Sequence, residues 1–232
     1  MLNLGSGTVC PDATRFTRPC ASHGRWRQES PIAFGAWKKP SLCYTEAMPN
    51  PIFINFHGAI NEPVVTKLMA ICAEIVSKFN PPELYFLFSS PGGSVDSGIA
   101  IYNFLRALPC PVTMHNTGAI DSIATVIFHS ADTRYASPHS SFGFHGVTWN
   151  FEAKQSLNLN QINEVRSGLA ESENKIARII SGRCSLSEED LRGLFLQGET
   201  KNASFALEKG IVQEIREAKI PQGAQFFSFN LN

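Results

Sequence analysis

From Pro51 onward the spacing of apolar positions changes period again and again. Pro51–Asn55 (PIFIN) is a short β-rich run. From Glu62 to Phe79, Val65, Leu68, Met69, Cys72, Ile75, Val76 and Phe79 fall three and four residues apart, the stripe of an amphipathic helix. Leu84–Phe88 (LYFLF) is apolar throughout, as expected of a strand covered on both faces. Gly92 and Gly93 break the chain before a second helix, about Val95–Leu108. Pro109 and Pro111 then punctuate it ahead of a strand at Val112–His115. A turn of small residues, Gly118–Asp121, leads to an apolar helix from Ser122 to about Ser130. Thr133–Ala136 and Ser141–His145 follow as β-like pieces.

Strand–helix–strand alternation of this kind predicts an α/β domain with a mostly parallel sheet. The remainder predicts a long polar helix, about Lys154–Ile180. Its sparse apolar positions Ile162, Val165, Leu169, Ile176 and Ile179 form a seam of the kind that joins neighbouring helices. Ser187 with Asp190 reads as a capping box. Ala203–Lys209 is a last short helix, ended by Gly210 before a strand at Ile211–Ile215.

Residues 1–48 carry none of these periods. Six basic residues (Arg15, Arg18, Arg25, Arg27, Lys38, Lys39) against Asp12, Glu29 and Glu46 leave this stretch near +3 and the rest near −3. It lacks the apolar centre of a secretory signal and is only faintly like an organellar transit peptide. It reads as a disordered or artefactual extension ahead of a domain over 49–232, with Met48 as a natural start. The whole chain of 232 residues has 20 basic and 20 acidic side chains, which gives no electrostatic footprint for nucleic acid or an anionic membrane. No apolar run is long enough to span a bilayer. The six cysteines are scattered without CxxC spacing, so no metal site or cofactor is expected, and the setting reads as reducing and cytoplasmic.

Three places carry candidate chemistry. Ser90-Pro91-Gly92-Gly93-Ser94 lies between a strand and a helix. Its glycines permit close backbone approach, and their N–H groups can face an oxyanion. Read alone, it is equally an ordinary connection. Ser122, in Gly118-Ala119-Ile120-Asp121-Ser122, is either a helix N-cap or a nucleophile whose oxyanion would form beside the Ile123 N–H. His145, ending a strand ahead of Gly146, is a candidate base to take the serine proton. His115, His129 and His139 compete with it. His129 sits on the apolar helix and reads as a packed core residue, and His139 lies in a Pro-Ser turn.

The order SPGGSV, helix, strand, GxxxS, apolar helix, two strands, histidine resembles the caseinolytic (Clp) protease proteolytic subunits, the ClpP family. The resemblance runs from about Ile52 to Ile215. It includes Gly98-Ile99-Ala100-Ile101-Tyr102, Pro138–His145 and Ala206-Leu207-Glu208-Lys209-Gly210-Ile211-Val212. It implies a ClpP/crotonase-like ββα superhelix whose long helix protrudes as a handle. It also implies a serine endopeptidase working through an acyl-enzyme inside an oligomeric chamber. Ser122 would be the nucleophile, His145 the general base, and the backbone N–H groups of Gly93 and Ile123 the oxyanion hole. Peptides or unfolded proteins would be the substrate, with self-association into rings and a Clp-type ATPase unfoldase as partner.

Two departures matter. Asp121 precedes the serine and Ile123-Ala124-Thr125 follow it, where the family has small residues and Met-Gly-Ala. The family's third acid, about a dozen residues before the Gly-Ile-Val turn, is missing. Glu199, one residue out of place, is the candidate to orient His145. The resemblance therefore also admits a weak or inactive ClpP-like structural subunit, or a crotonase-type acyl-CoA enzyme.

Overall fold

The computed structural model describes residues 50–151 and 156–228. The readings of 1–48 as an extension and of Lys154 as the start of the long helix lie outside the described residues. Fourteen elements alternate along the described chain. β1 (Ile52–His57), β2 (Leu84–Ser90) and β3 (Val112–Asp121) pair in parallel, and β8 (Phe226–Ser228) adds to the outer side of β1. The α/β expectation with a mostly parallel sheet therefore holds. One face of β1 and β2 is fully buried, and the other only in part, with Phe53 and Tyr85 buried but Asn55 and Leu87 half-buried. Ile52, Ile54, Phe56, Leu84, Phe86 and Phe88 are buried, and Phe56 stacks on Phe88 at 5.1 Å between ring centroids. Each such side chain contributes about 1.5–3 kcal/mol by leaving water.

α1 (Glu62–Phe79) is the helix that the apolar stripe predicts, residue for residue. Asn61 caps it by accepting from the Val64 N–H at 3.1 Å, Pro63 stands in its first turn, and Asn80 closes it in a left-handed conformation. α2 (Val95–Arg106) is capped by Ser94, and α5 (Glu188–Gln197) by the expected capping box of Ser187 and Asp190.

β3 is where the sequence reading needed correction. Gly118–Asp121, read as a turn, continues the strand. β3 spans ten residues because it serves two partners in succession. Thr113–Asn116 pair with β4 (Thr133–Ala136), then Ala119–Asp121 pair with β5 (Ser141–Gly143), while the register against β2 shifts between Phe88 and Ser90. No local propensity of Gly-Ala-Ile-Asp announces a strand that changes neighbour midway. The helix that follows, α3 (Ala124–Phe128), is consequently shorter than the Ser122–Ser130 expected.

The C-terminal third differs in its edges. β5 ends at Gly143, so His145 lies beyond the strand and not on it. α4 spans Leu159–Ser181, and its seam divides. Ile176 is buried in the core and Ile179 packs against it, Val165 and Leu169 are half-buried, and Ile162 is exposed. β6 (Thr200–Asn202), antiparallel to β5, and β8 carry no sequence signal, since three residues hold strand geometry only because a partner is present. α6 (Ala203–Glu208) is as expected, and β7 is reduced to Glu214–Ile215 beside β4. Among the described residues no helix is long and apolar enough to cross a membrane.

Candidate active site

Ser122 sits at the bend between the end of β3 and α3 with φ +56°, a left-handed conformation that costs a non-glycine residue roughly 1–2 kcal/mol. Its surroundings hold it there. Its N–H donates to the Gly143 carbonyl at 2.9 Å. Its own carbonyl accepts from the Thr125 N–H at 3.0 Å and the Thr125 hydroxyl at 2.6 Å. The serine therefore does not act as an N-cap through its side chain, because α3 has no side-chain cap. With the backbone bonds made by main chain and threonine, the hydroxyl is left for other use.

The glycine pair packs directly on this bend. A Cβ on Gly92 would stand 2.7 Å from both the Asp121 carbonyl oxygen and Ser122 Cβ, so no side chain fits. Gly92 and Gly93 have φ +87° and +148°, and a Cβ on Gly93 would strike the Ile60 carbonyl at 2.1 Å. Gly93 is held by its neighbours: Ile60 N–H donates to Gly92 O at 2.8 Å and Ser94 N–H to Ile60 O at 2.9 Å. Among the hydrogen bonds of the described residues, none uses the N–H of Gly93 or of Ile123. Two unspent backbone donors thus flank the serine. The second belongs to Ile123, the residue that precedes a helix of five residues, so the local N–H matters more than any macrodipole.

Ser122, His145 and Gly93 line one cleft of about 290 Å³, together with Val95, Val147 and Thr148. His145 is exposed, and its Nδ1 lies 2.9 Å from the Gly146 carbonyl oxygen. That oxygen can only accept, so Nδ1 is the donor in this bond, and in the neutral ring Nε2 would be the acceptor. The segment holding the histidine is tied by its neighbours' amides. Phe144 N–H donates to Glu199 O at 2.9 Å, Gly146 N–H to Phe195 O at 3.1 Å, and Val147 N–H to Glu173 Oε1 at 3.0 Å.

The remaining candidates sit elsewhere. The Glu199 carboxylate is ion-paired with Lys201, and the described hydrogen bonds of His145 do not include it. The Asp121 side chain lies over Gly143, where a Cβ would meet its Oδ1 at 2.2 Å. His115 is buried, bonded to the Tyr85 hydroxyl at 2.8 Å, the Arg216 carbonyl at 3.0 Å and the Ser137 hydroxyl at 3.2 Å. Burial pushes its ionisation below the ordinary histidine range. His129 is fully buried with Nδ1 on the Thr125 carbonyl. Burial, reinforced by Arg134, drives it down to about 3. His139 is exposed. Glu173, on α4, is the charged residue beside the site that sequence reading missed. Its partner is 26 residues away, and no spacing rule links the two.

A serine on a strained bend after a strand and a histidine lining the same cleft, with no hydrogen bond between them among the described residues, are candidates for a serine-hydrolase site. The family model of the Clp protease matches residues 44–219, and the chain belongs to that family. It is thereby a ClpP-like protein of the serine-peptidase class. Relatives named ATP-dependent Clp protease proteolytic subunit include one from Pleurastrum terricola, 30% identical over 128 residues, covering 54% of this chain and 63% of that protein. A second, subunit 2 of Pseudomonas aeruginosa, is 25% identical over 153 residues, covering 63% and 74%. Subunit 2 of Chlamydia trachomatis serovar D is 24% identical over 163 residues, covering 69% and 80%.

Proposed function

We propose that this chain is a serine endopeptidase that cleaves peptides or unfolded polypeptide at Ser122. The observation that supports the reading is the shared cleft: Ser122, His145 and Gly93 line the same space, and the unspent Ile123 amide follows Ser122 in the chain. Ser122 Oγ gives its proton to His145 Nε2 and attacks the peptide carbonyl. The oxyanion takes the N–H groups of Gly93 and Ile123, and His145 returns the proton to the leaving amine. Water, activated by the same imidazole, then releases the acyl group. Glu199 enters as an acid held in reserve by Lys201. It stands beside Phe144, one residue before the base, and acts on His145 only when released from that pair.

Self-association into rings, with a Clp-type ATPase feeding substrate, completes the reading in a cytoplasmic setting. The relatives' name, ATP-dependent Clp protease proteolytic subunit, supports the ATPase partner, and the exposed apolar residues Trp149, Phe151, Leu159 and Ile162 support self-association. A fluorophosphonate probe tests the core claim. The expected result is one adduct on Ser122, with Ser122→Ala retaining its fold and assembled mass but less than a few per cent of short-peptide hydrolysis. Hydrolysis surviving in Ser122→Ala rejects the assignment.

A second reading, a non-catalytic ClpP-like subunit, is favoured by one observation, the engagement of Glu199 with Lys201. Assembled protein that takes no adduct on Ser122 supports it.

A further inference from the structure

We propose that Glu173 positions the catalytic imidazole, acting through the single peptide group that joins Gly146 to Val147. The inference rests on the peptidase reading above and supplies what that reading lacks, an engaged carboxylate. A trans peptide carries its C=O and N–H on opposite sides. The C=O of this one accepts from His145 Nδ1 at 2.9 Å, and its N–H donates to Glu173 Oε1 at 3.0 Å. Carboxylate, peptide and imidazole therefore form one hydrogen-bonded chain with every dipole in the same sense.

The physics is that of an orienting acid at one remove. A serine-protease acid fixes the imidazole tautomer and stabilises the imidazolium that forms. Here the carboxylate polarises a peptide whose dipole is about 3.5 D, and its oxygen then becomes a better acceptor for Nδ1–H. A charge-assisted bond to the peptide N–H also fixes the orientation of the C=O, and so of the ring. Glu173 is well placed to be rigid. It is half-buried on α4, three residues before the helix enters the core at Ile176 and Ala177, next to Asn174, which accepts from Arg192 of α5. Gly146 is matched to it, since a Cβ there would come within 2.8 Å of Glu173 Oε1.

Other charged residues lie on the elements that build the site. They are Asp121 at the end of β3, Glu199 with Lys201 on the β6 side, Asp96 in the first turn of α2, and Arg192 of α5, which also holds Glu188. In the described hydrogen bonds Glu173 supplies the one carboxylate that contacts the segment carrying His145, since Glu199 reaches it only through its backbone carbonyl.

Two measurements decide the matter. The first is the nitrogen-15 resonances of the His145 ring in protein carrying Ser122→Ala, where no chemistry intervenes. The expected result is a neutral ring protonated at Nδ1, shifting to a mixture of tautomers when Glu173→Ala is added. Glu173→Gln, whose amide oxygen still accepts from Val147, restores most of the tautomer. The second is the pH dependence of fluorophosphonate labelling. Glu173→Gln lowers its plateau about tenfold and moves its acid limb to lower pH by roughly half a unit, because a nearby negative charge favours the imidazolium. Short-peptide KM stays within about twofold as kcat falls. Gly146→Ala, which pushes the carboxylate aside, reproduces Glu173→Ala. An unchanged tautomer and an unmoved acid limb in labelled protein overturn the proposal. Wild-type protein that takes no label while its tautomer follows Glu173 instead sinks the peptidase reading and leaves the relay standing.

Discussion

The two halves of the site are built in opposite ways. Ser122 is clamped: its strained backbone is bonded on both sides, Gly92 packs on its Cβ, and Ile123 behind it is fully buried against Gly98, where a Cβ would come within 2.3 Å. His145 stands exposed past the end of β5, held by one side-chain bond to its own chain. On the proposed reading, the serine and the candidate oxyanion donors Gly93 and Ile123 are preorganised by the core, which would cost no reorganisation during reaction. The base depends on a short loop stapled from three elements, α4, α5 and the chain before β6. Substitution of the packed glycines on the first side strikes folding and chemistry together, whereas loss of the Ser122 hydroxyl, or substitution on the second side, is expected to strike chemistry alone.

The sharpest break comes at Gly93. Gly93→Ala forces a Cβ into the Ile60 carbonyl and displaces one oxyanion donor. The expected loss is about 10²–10³ in kcat, read by peptide kinetics, with a lowered thermal midpoint alongside. A kcat within threefold of wild type removes the Gly93 N–H from the oxyanion hole. On the base side, Glu199→Gln is expected to lower kcat only about tenfold with no change in thermal midpoint. An acid fully engaged with the imidazole would cost about 10⁴, and Glu199 is occupied by Lys201. A loss of that larger size would return the orienting role to Glu199.

The smallest effect concerns stability alone. His129, at the end of α3 behind the serine, is neutral when folded and is held down to about 3 by burial and by Arg134. The unfolded chain binds its proton near 6.5, so between those values the unfolded state holds more protons and stability falls as pH falls. The slope it contributes is at most about 1.4 kcal/mol per pH unit. Denaturant titrations from pH 7 to 4 should show it, and His129→Leu should flatten it. Equal slopes in the two proteins would assign the acid sensitivity elsewhere.

Much of this contrast was legible in the chain. The serine side is made of local signals: an apolar strand, two glycines, a serine between a strand and an apolar helix. Each is decided by neighbours within a few residues, and α1, the capping boxes of α5 and the core position of His129 were legible for the same reason. The base side was not. Gly118–Asp121 became strand because β5 lies beside it, and Glu199 was nominated by spacing yet is claimed by Lys201 two residues on. Glu173 gave no sign at all, being one acid among several polar residues of a long helix.

The sequence by itself determined the alternation of elements, the covered strands and the residues able to supply hydroxyl, base and amides, because periodicity, glycine conformation and side-chain chemistry act over short stretches of chain. Only the tertiary structure decided which of them share a cleft, which amides remain unspent and which carboxylate reaches the histidine loop. Those outcomes depend on hydrogen bonds between residues tens of positions apart, and each bond exists only once the sheet has set its register.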